Sequence, residues 1–191
     1  DECTITYDRQ YRYINFGSWN ASNVPYYYMD KYYKGIRECN ILMQNVYSCS
    51  DPLANKEDLD RYYWQARFAR AYYYFLMMCD YGPIFLLGDE LLDFTASTEE
   101  LYRPRNTWEQ CVDYVVSEMT ECANSETIKD SYEDQYMGFA TKGTCQAVIS
   151  RLLLYSARDL FNGNTLYRNV KNPTTNEFPE LSGADLFPQT Y

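Results

Sequence analysis

Apolar residues recur at helical spacing in several stretches of the chain, with polar connections between them. In the longest stretch, residues 59 to 87, Leu59, Tyr62, Ala66, Ala69, Tyr73 and Leu76 fall 3, 4, 3, 4 and 3 apart, the stripe that an α-helix buries on one side. The small Ala66 and Ala69 among large aromatics would admit a close helical neighbour, and Gly82-Pro83 supplies a stop. The spacing predicts a helix from about Glu57 to Asp80. Ahead of it, Pro25 suits a helix start, and Tyr33, Ile36, Asn40, Met43 and Tyr47 predict a helix over about residues 26–48. Asn40 falls on that apolar stripe, where a polar side chain must find a partner and so fixes one register and one neighbour.

Farther along, Trp108, Cys111, Val115, Met119 and Cys122 predict a third helix over about residues 107–124, with Asn106 or Thr107 as its cap. Cys145, Val148, Ile149, Leu152 and Tyr155 predict a fourth from about Thr141 to Asp159, terminated by Asn162-Gly163-Asn164. Ile84 to Leu87 is a short run compatible with extended chain, followed by a polar loop through Glu100. Residues 125–140 form a second connection, and residues 1–25 and 161–191 show no sustained period and read as irregular.

The segment Arg70-Ala71-Tyr72-Tyr73 with Leu76-Met77 parallels Gln146-Ala147-Val148-Ile149 with Leu152-Leu153 at a constant offset of 76. Two stacked helical hairpins would explain that parallel. The offset exceeds a bare tetratricopeptide period, so long loops are inserted, and inserted loops are where such scaffolds carry binding residues. The expected fold class is all-α, with tetratricopeptide-like helical hairpins and long irregular loops. Such a stack would leave the last helix uncovered on one side, so residues 1–191 are expected to be a single helical domain within a longer protein.

Charge narrows the function. A net charge of −10, from 17 basic and 27 acidic residues, argues against nucleic acid and against anionic membrane surfaces. The absence of histidine removes the commonest general base and metal ligand, and every Ser-His or Cys-His nucleophile pair. The 7 cysteines show no CxxC and no zinc-like spacing, so neither a metal site nor a disulfide scaffold is expected. Cys39, Cys111, Cys122 and Cys145 read as small buried hydrophobes, with one bridge between helices left open. Cys111 and Cys122 cannot pair with each other, being about 16 Å apart along one helix.

No apolar run reaches the roughly 18 residues of a membrane span, and Cys3 lacks the preceding apolar segment of a lipidated cysteine. Phosphate-loop, dinucleotide, zinc-protease, calcium-loop and serine-hydrolase motifs are absent, and no cofactor is expected. Asp89-Glu90, Glu99-Glu100 and Glu133-Asp134 are carboxylate pairs of the kind a glycosidase uses. In polar loops they read first as solvated charge, because nothing nearby in sequence would desolvate one of a pair.

Aromatic side chains are more informative, with 22 Tyr, 9 Phe and 3 Trp. Tyr11, Tyr13, Phe16, Trp19 and Tyr26-Tyr27-Tyr28 lie in and just after the irregular start, beside Arg12, Asn15, Asn20 and Asn23. Exposed rings stack on the C–H faces of sugars while Asn, Arg and Tyr hydroxyls bind the edges. Trp19, Tyr11, Tyr13, Arg12, Asn15 and Asn20 are therefore the candidate glycan contacts. Packing of these rings onto the first two helices is the alternative.

The second helix and its end carry Ala66-Arg67-Phe68, Arg70 to Leu76 and Tyr81-Gly82-Pro83, and the first carries Lys34-Gly35-Ile36 with Asn40-Ile41-Leu42. Farther on stand Tyr102-Arg103-Pro104, Ala140-Thr141-Lys142-Gly143, Leu153-Leu154-Tyr155-Ser156-Ala157 and Leu160-Phe161-Asn162-Gly163-Asn164. Together, from about Trp19 to Asn164, these strings resemble the SusD/RagB family of surface lipoproteins. The resemblance implies a scaffold of tetratricopeptide-like pairs bearing a glycan-binding face. It further implies a non-enzymatic, lipid-anchored protein of the outer cell surface that delivers oligosaccharide to a SusC-like TonB-dependent transporter. Family members are usually much longer, and the lipid anchor is not present in this sequence. Two other readings are a tetratricopeptide-like scaffold for a peptide or protein, and an all-α glycosidase.

Overall fold

The computed structural model describes residues 16–18, 20, 28–93, 95–97, 101 and 103–162. The described residues include helices α1 (Met29–Asn45), α2 (Lys56–Tyr81), α3 (Trp108–Asn124) and α4 (Lys142–Ser156). Local chemistry sets most of the ends. The Asn55 side chain accepts from the Asp58 N–H at 2.9 Å, and Glu57 and Asp58 put negative charge in the first turn of α2. Thr107 forms a reciprocal capping box with Gln110, and Thr141 forms one with Thr144. At the far end of α2, Gly82 takes a φ of 69°, a conformation that costs L side chains dearly.

The α1 boundaries fall inside the expected range, beginning at Met29 and passing into a 3-10 turn over Val46–Ser48. Helix α4 ends at Ser156, short of the expected Asp159. There the Ser156 hydroxyl donates back to Leu152 O at 2.9 Å and accepts from the Trp108 indole at 3.2 Å. The chain then turns so that Phe161 stacks on Trp108, with ring centroids 4.0 Å apart.

Consecutive helices run antiparallel. Tyr28 at the start of α1 donates its backbone N–H to the Tyr81 hydroxyl at the end of α2, while Tyr47 at the other end reaches Asp60. Helix α2 lies against α3, and α3 pairs with α4. Tyr74, Phe75, Met77 and Met78 of α2, Val112, Val115 and Met119 of α3, and Leu152 of α4 form one core with Ile84 and Trp108. Full burial of side chains of this size is worth about 1.5–3 kcal/mol each, which makes this core the main source of stability.

All five stripe residues of α3 are buried as the spacing predicts, as are Ile36, Asn40 and Met43 of α1 and Cys145, Val148 and Leu152 of α4, whereas Tyr33, Ile149 and Tyr155 are half-buried and Tyr47, at the end of its stripe, is exposed. Helix α2 departs from its stripe. Tyr62 is exposed, Ala69, Tyr73 and Leu76 are half-buried, and the fully enclosed residues are Ala66, Arg70, Ala71, Tyr74, Phe75, Met77 and Met78. The reason is packing on two sides, since α1 and α3 cover different faces and no single stripe describes their union.

The close approach of α1 to α2 falls at Gly35. A Cβ there would lie 2.7 Å from Tyr73 Cε2. The internal parallel between α2 and α4 likewise does not extend to burial. Arg70 and Ala71 are enclosed, whereas Gln146 and Ala147 face solvent.

Candidate functional site

Beyond Gly82 the chain leaves α2 as an irregular segment, Ile84 to Leu87, which turns through Gly88 at φ 58°. Its backbone polar groups have no helix or sheet to satisfy them, so side chains must do so. Asn106 accepts from Leu86 N–H at 2.9 Å with its side chain and donates its own N–H to Ile84 O at 2.8 Å. The Tyr33 hydroxyl donates to Phe85 O at 2.8 Å, and Leu87 N–H donates to the Tyr74 hydroxyl at 3.1 Å. The Asn40 amide donates to Gly88 O at 2.9 Å and Glu90 O at 3.1 Å, and the Gln44 amide donates to Asp89 O at 2.7 Å. Tyr33, Asn40 and Gln44 are 7 and 4 residues apart and share one face of α1. That face straps the segment down.

Behind the strap lies a buried ionic network. Arg70, with only 3% of its side chain exposed, donates one nitrogen to Asn40 Oδ1 at 2.8 Å, to Gly88 O at 3.1 Å and to Asp89 Oδ1. Its other terminal nitrogen donates to Glu118 Oε2 at 2.7 Å. Arg67 adds two hydrogen bonds to the same carboxylate, at 2.8 and 3.1 Å. Burial works against the Glu118 charge, but hydrogen bonds from Arg67 and Arg70 outweigh it and hold its pKa below the usual value. Asn40 thus has the partners that its place on an apolar stripe demanded.

Two hollows flank the Gly88–Glu90 turn. The larger, of about 510 Å³, is floored by Tyr33 and Phe85, whose rings stack with centroids 4.1 Å apart, and by Leu87 and Leu92. Its rim is polar. Asp30, Lys34, Arg37 and Glu38 come from α1, and Glu90 from the turn. Arg103 grips Glu90 with two bonds of 2.7 and 2.6 Å, and these bonds hold the Glu90 pKa down. Glu90 is thereby a hydrogen-bond acceptor, not a proton donor. The smaller hollow, of about 160 Å³, is lined by Asn40, Met43, Gln44, Tyr63 and Asp89. An apolar floor with a few convergent polar groups on a fixed backbone is the general form of a small-molecule site.

Of the residues expected to touch ligand, Tyr11, Arg12, Tyr13, Asn15 and Trp19 lie outside the described residues, as do Asn23, Tyr26 and Tyr27. Asn20 and Phe16 are described and exposed, and Tyr28 is half-buried at the start of α1. Asp89 and Glu90, read from sequence as solvated charge, are solvent-facing yet each is fastened by an arginine. Sequence reasoning did not single out Tyr33 with Phe85, Gln44, or the set of Arg67, Arg70 and Glu118. The available signal was a pair of arginines inside the most aromatic helix.

The chain belongs to the SusD-like family: residues 6–154 match SusD-like_3, described as "Starch-binding associating with outer membrane". It is similar to the solved protein BT4246, at 26% identity and a TM-score of 0.80, over 96% of this chain and 30% of that one. It is also similar to a SusD-like protein, BF3747, from Bacteroides fragilis, at 29% identity and a TM-score of 0.57, over 68% of this chain and 23% of that one. The surface glycan-binding protein A of Bacteroides uniformis shares the fold, at 22% identity and a TM-score of 0.56, over 65% of this chain and 26% of its own. The chain therefore spans less than a third of the length of these structures. No curated protein matches it.

Proposed function

We propose that this chain captures oligosaccharide at the outer cell surface without cleaving it, and delivers it to a TonB-dependent transporter of the SusC type. The observation that carries the reading is the larger hollow, where an aromatic and aliphatic floor suits the C–H face of a sugar and a charged rim suits its hydroxyls. Membership in a family described as starch-binding and outer-membrane associated supports it, as does the name of the Bacteroides uniformis relative. A backbone strapped at nearly every residue favours binding, because little conformational freedom is left to lose. Trp19, Tyr11, Tyr13, Arg12, Asn15 and Asn20 extend the contact in this proposal. In this proposal the residues form one helical domain of a longer protein held at the outer membrane by a lipid anchor.

Calorimetric titration with neutral oligosaccharides, followed by product analysis, tests the reading. Sugar bound and recovered intact is the expected result. Trp19→Ala should leave the helical circular dichroism unchanged and weaken binding about tenfold, the typical cost of truncating an aromatic anchor. Cleavage would make the chain a glycosidase, and an unfolded Trp19→Ala variant would place Trp19 in the core.

A further inference from the structure

The smaller hollow has the more polar lining of the two. Asp89 leaves 80% of its side chain exposed, yet its Oδ1 is held by the buried Arg70. Its Oδ2 has no partner among the described residues and is left as an acceptor beside the hollow. Gln44 commits its amide nitrogen to Asp89 O at 2.7 Å, leaving its side-chain oxygen as a second acceptor. Asn40 is fully engaged with Arg70, Gly88 and Glu90 and offers nothing more. Met43 supplies an apolar patch, and Tyr63 supplies a ring steadied by Tyr47 at 5.8 Å and Trp64 at 5.7 Å. The Tyr63 hydroxyl has no partner among the described residues.

The charges behind this lining cancel. Two arginines, Arg67 and Arg70, face two carboxylates, Glu118 and Asp89. No net charge is left to attract a cation, and the two free acceptors offer an anion no charged donor. What satisfies acceptors without charge is a donor group, and a ring against Tyr63 and Met43 with hydroxyls toward Asp89 and Gln44 fits that description. With about 160 Å³, the hollow holds one such ring and not a chain.

Resting on the capture reading above, we propose that the hollow formed by Gln44, Tyr63 and Asp89 is a subsite for a single neutral, hydroxylated sugar residue, closed to uronic and sulfated sugars. Arg70 is its positioning residue. It orients the Asp89 carboxylate from behind and touches no ligand.

The test uses the full 191-residue chain titrated with maltohexaose, laminarihexaose, xylohexaose and mannohexaose, and with oligogalacturonate as the anionic probe. At least one neutral hexamer should bind and oligogalacturonate should not. Asp89→Asn keeps an oxygen for Arg70 while replacing the outward acceptor with a donor, and should weaken binding about tenfold or more with the helical circular dichroism unchanged. Gln44→Ala and Tyr63→Ala should each weaken it several-fold. If the wild type binds a neutral hexamer and all three variants match it, the subsite is wrong while the capture reading stands. Tighter binding of oligogalacturonate than of any neutral hexamer overturns the polarity argument. Failure of the wild type to bind any probe overturns the capture reading and this subsite with it.

Discussion

Replacing Glu118 by Gln removes the charge at the centre of the buried network while keeping the side chain's volume. Glu118 accepts three hydrogen bonds from two arginines, at 2.7, 2.8 and 3.1 Å. In the variant one acceptor becomes an NH₂ group facing guanidinium N–H donors, so at least one bond is lost and two cations remain without their shared anion. Breaking a buried pair by removing one partner costs about 3–5 kcal/mol. The lower end applies here, because Arg67 retains 19% exposure and can recruit water, while Arg70 keeps Asn40, Gly88 O and Asp89. A loss of about 3 kcal/mol is a large part of the 5–15 kcal/mol a domain has. At about 2–4 °C per kcal/mol for a chain of this size, the melting temperature should fall by roughly 6–12 °C.

The same variant carries a pH signature. The folded-state pKa of Glu118 lies below its ordinary value of 4.5, so at acid pH the unfolded chain binds more protons than the folded one. The stabilisation is therefore fully present above about pH 4.5 and is lost as the pH falls through the lower, folded value. Urea unfolding at pH 7 and pH 4, followed by far-ultraviolet circular dichroism, measures both effects. The gap between wild type and Glu118→Gln should begin to close as the pH falls below 4.5. A variant within about 0.5 kcal/mol of wild type at pH 7, the ordinary range of a surface substitution, would refute the claim that this carboxylate holds the two arginines.

Gly35→Ala places a Cβ 2.7 Å from Tyr73 Cε2, and overpacking of this kind costs about 1–3 kcal/mol, outweighing the roughly 0.5–1 kcal/mol that Ala gains over Gly in a helix. Thermal melts should therefore show destabilisation in the wild-type background, and stabilisation when Tyr73→Ala has removed the ring. Tyr114→Phe should leave stability unchanged or raise it by up to about 1 kcal/mol, since the Tyr114 hydroxyl is buried without a hydrogen-bond partner among the described residues. The edge-to-face contact of Tyr114 with Tyr74 at 5.3 Å survives that change, so a drop above 1 kcal/mol in chemical denaturation would reveal a hidden partner for the hydroxyl.

The α3 helix was the most legible part of the chain, because it buries one face and carries its own cap. Trp108, Cys111, Val115, Met119 and Cys122 repeat at the helical period, and Thr107 supplies the cap. Helix α2 shows where that reasoning fails. Its length was readable to within a residue at each end, Glu57 to Asp80 against Lys56–Tyr81, with Gly82-Pro83 as the stop, but its stripe was not, because neighbours on two sides leave too little exposed surface for one period to dominate. The candidate site was legible only through Asn40, whose polarity on an apolar face announced a partner without naming it.

By itself the sequence determined the four described helices and the need for Asn40 to be satisfied, because periodicity and caps are interactions over three or four residues. Its family strings carried the class of protein, each being a local pattern as well. Only the tertiary structure decided that Arg67, Arg70 and Glu118 meet, that Tyr33 and Gln44 strap a segment some 50 residues away, and that Asp89 and Glu90 face separate hollows. Those pairings join positions whose separation along the chain carries no period. They are set by which faces of α1, α2 and α3 bury the most apolar surface together, a property of the packed molecule that no short window of residues contains.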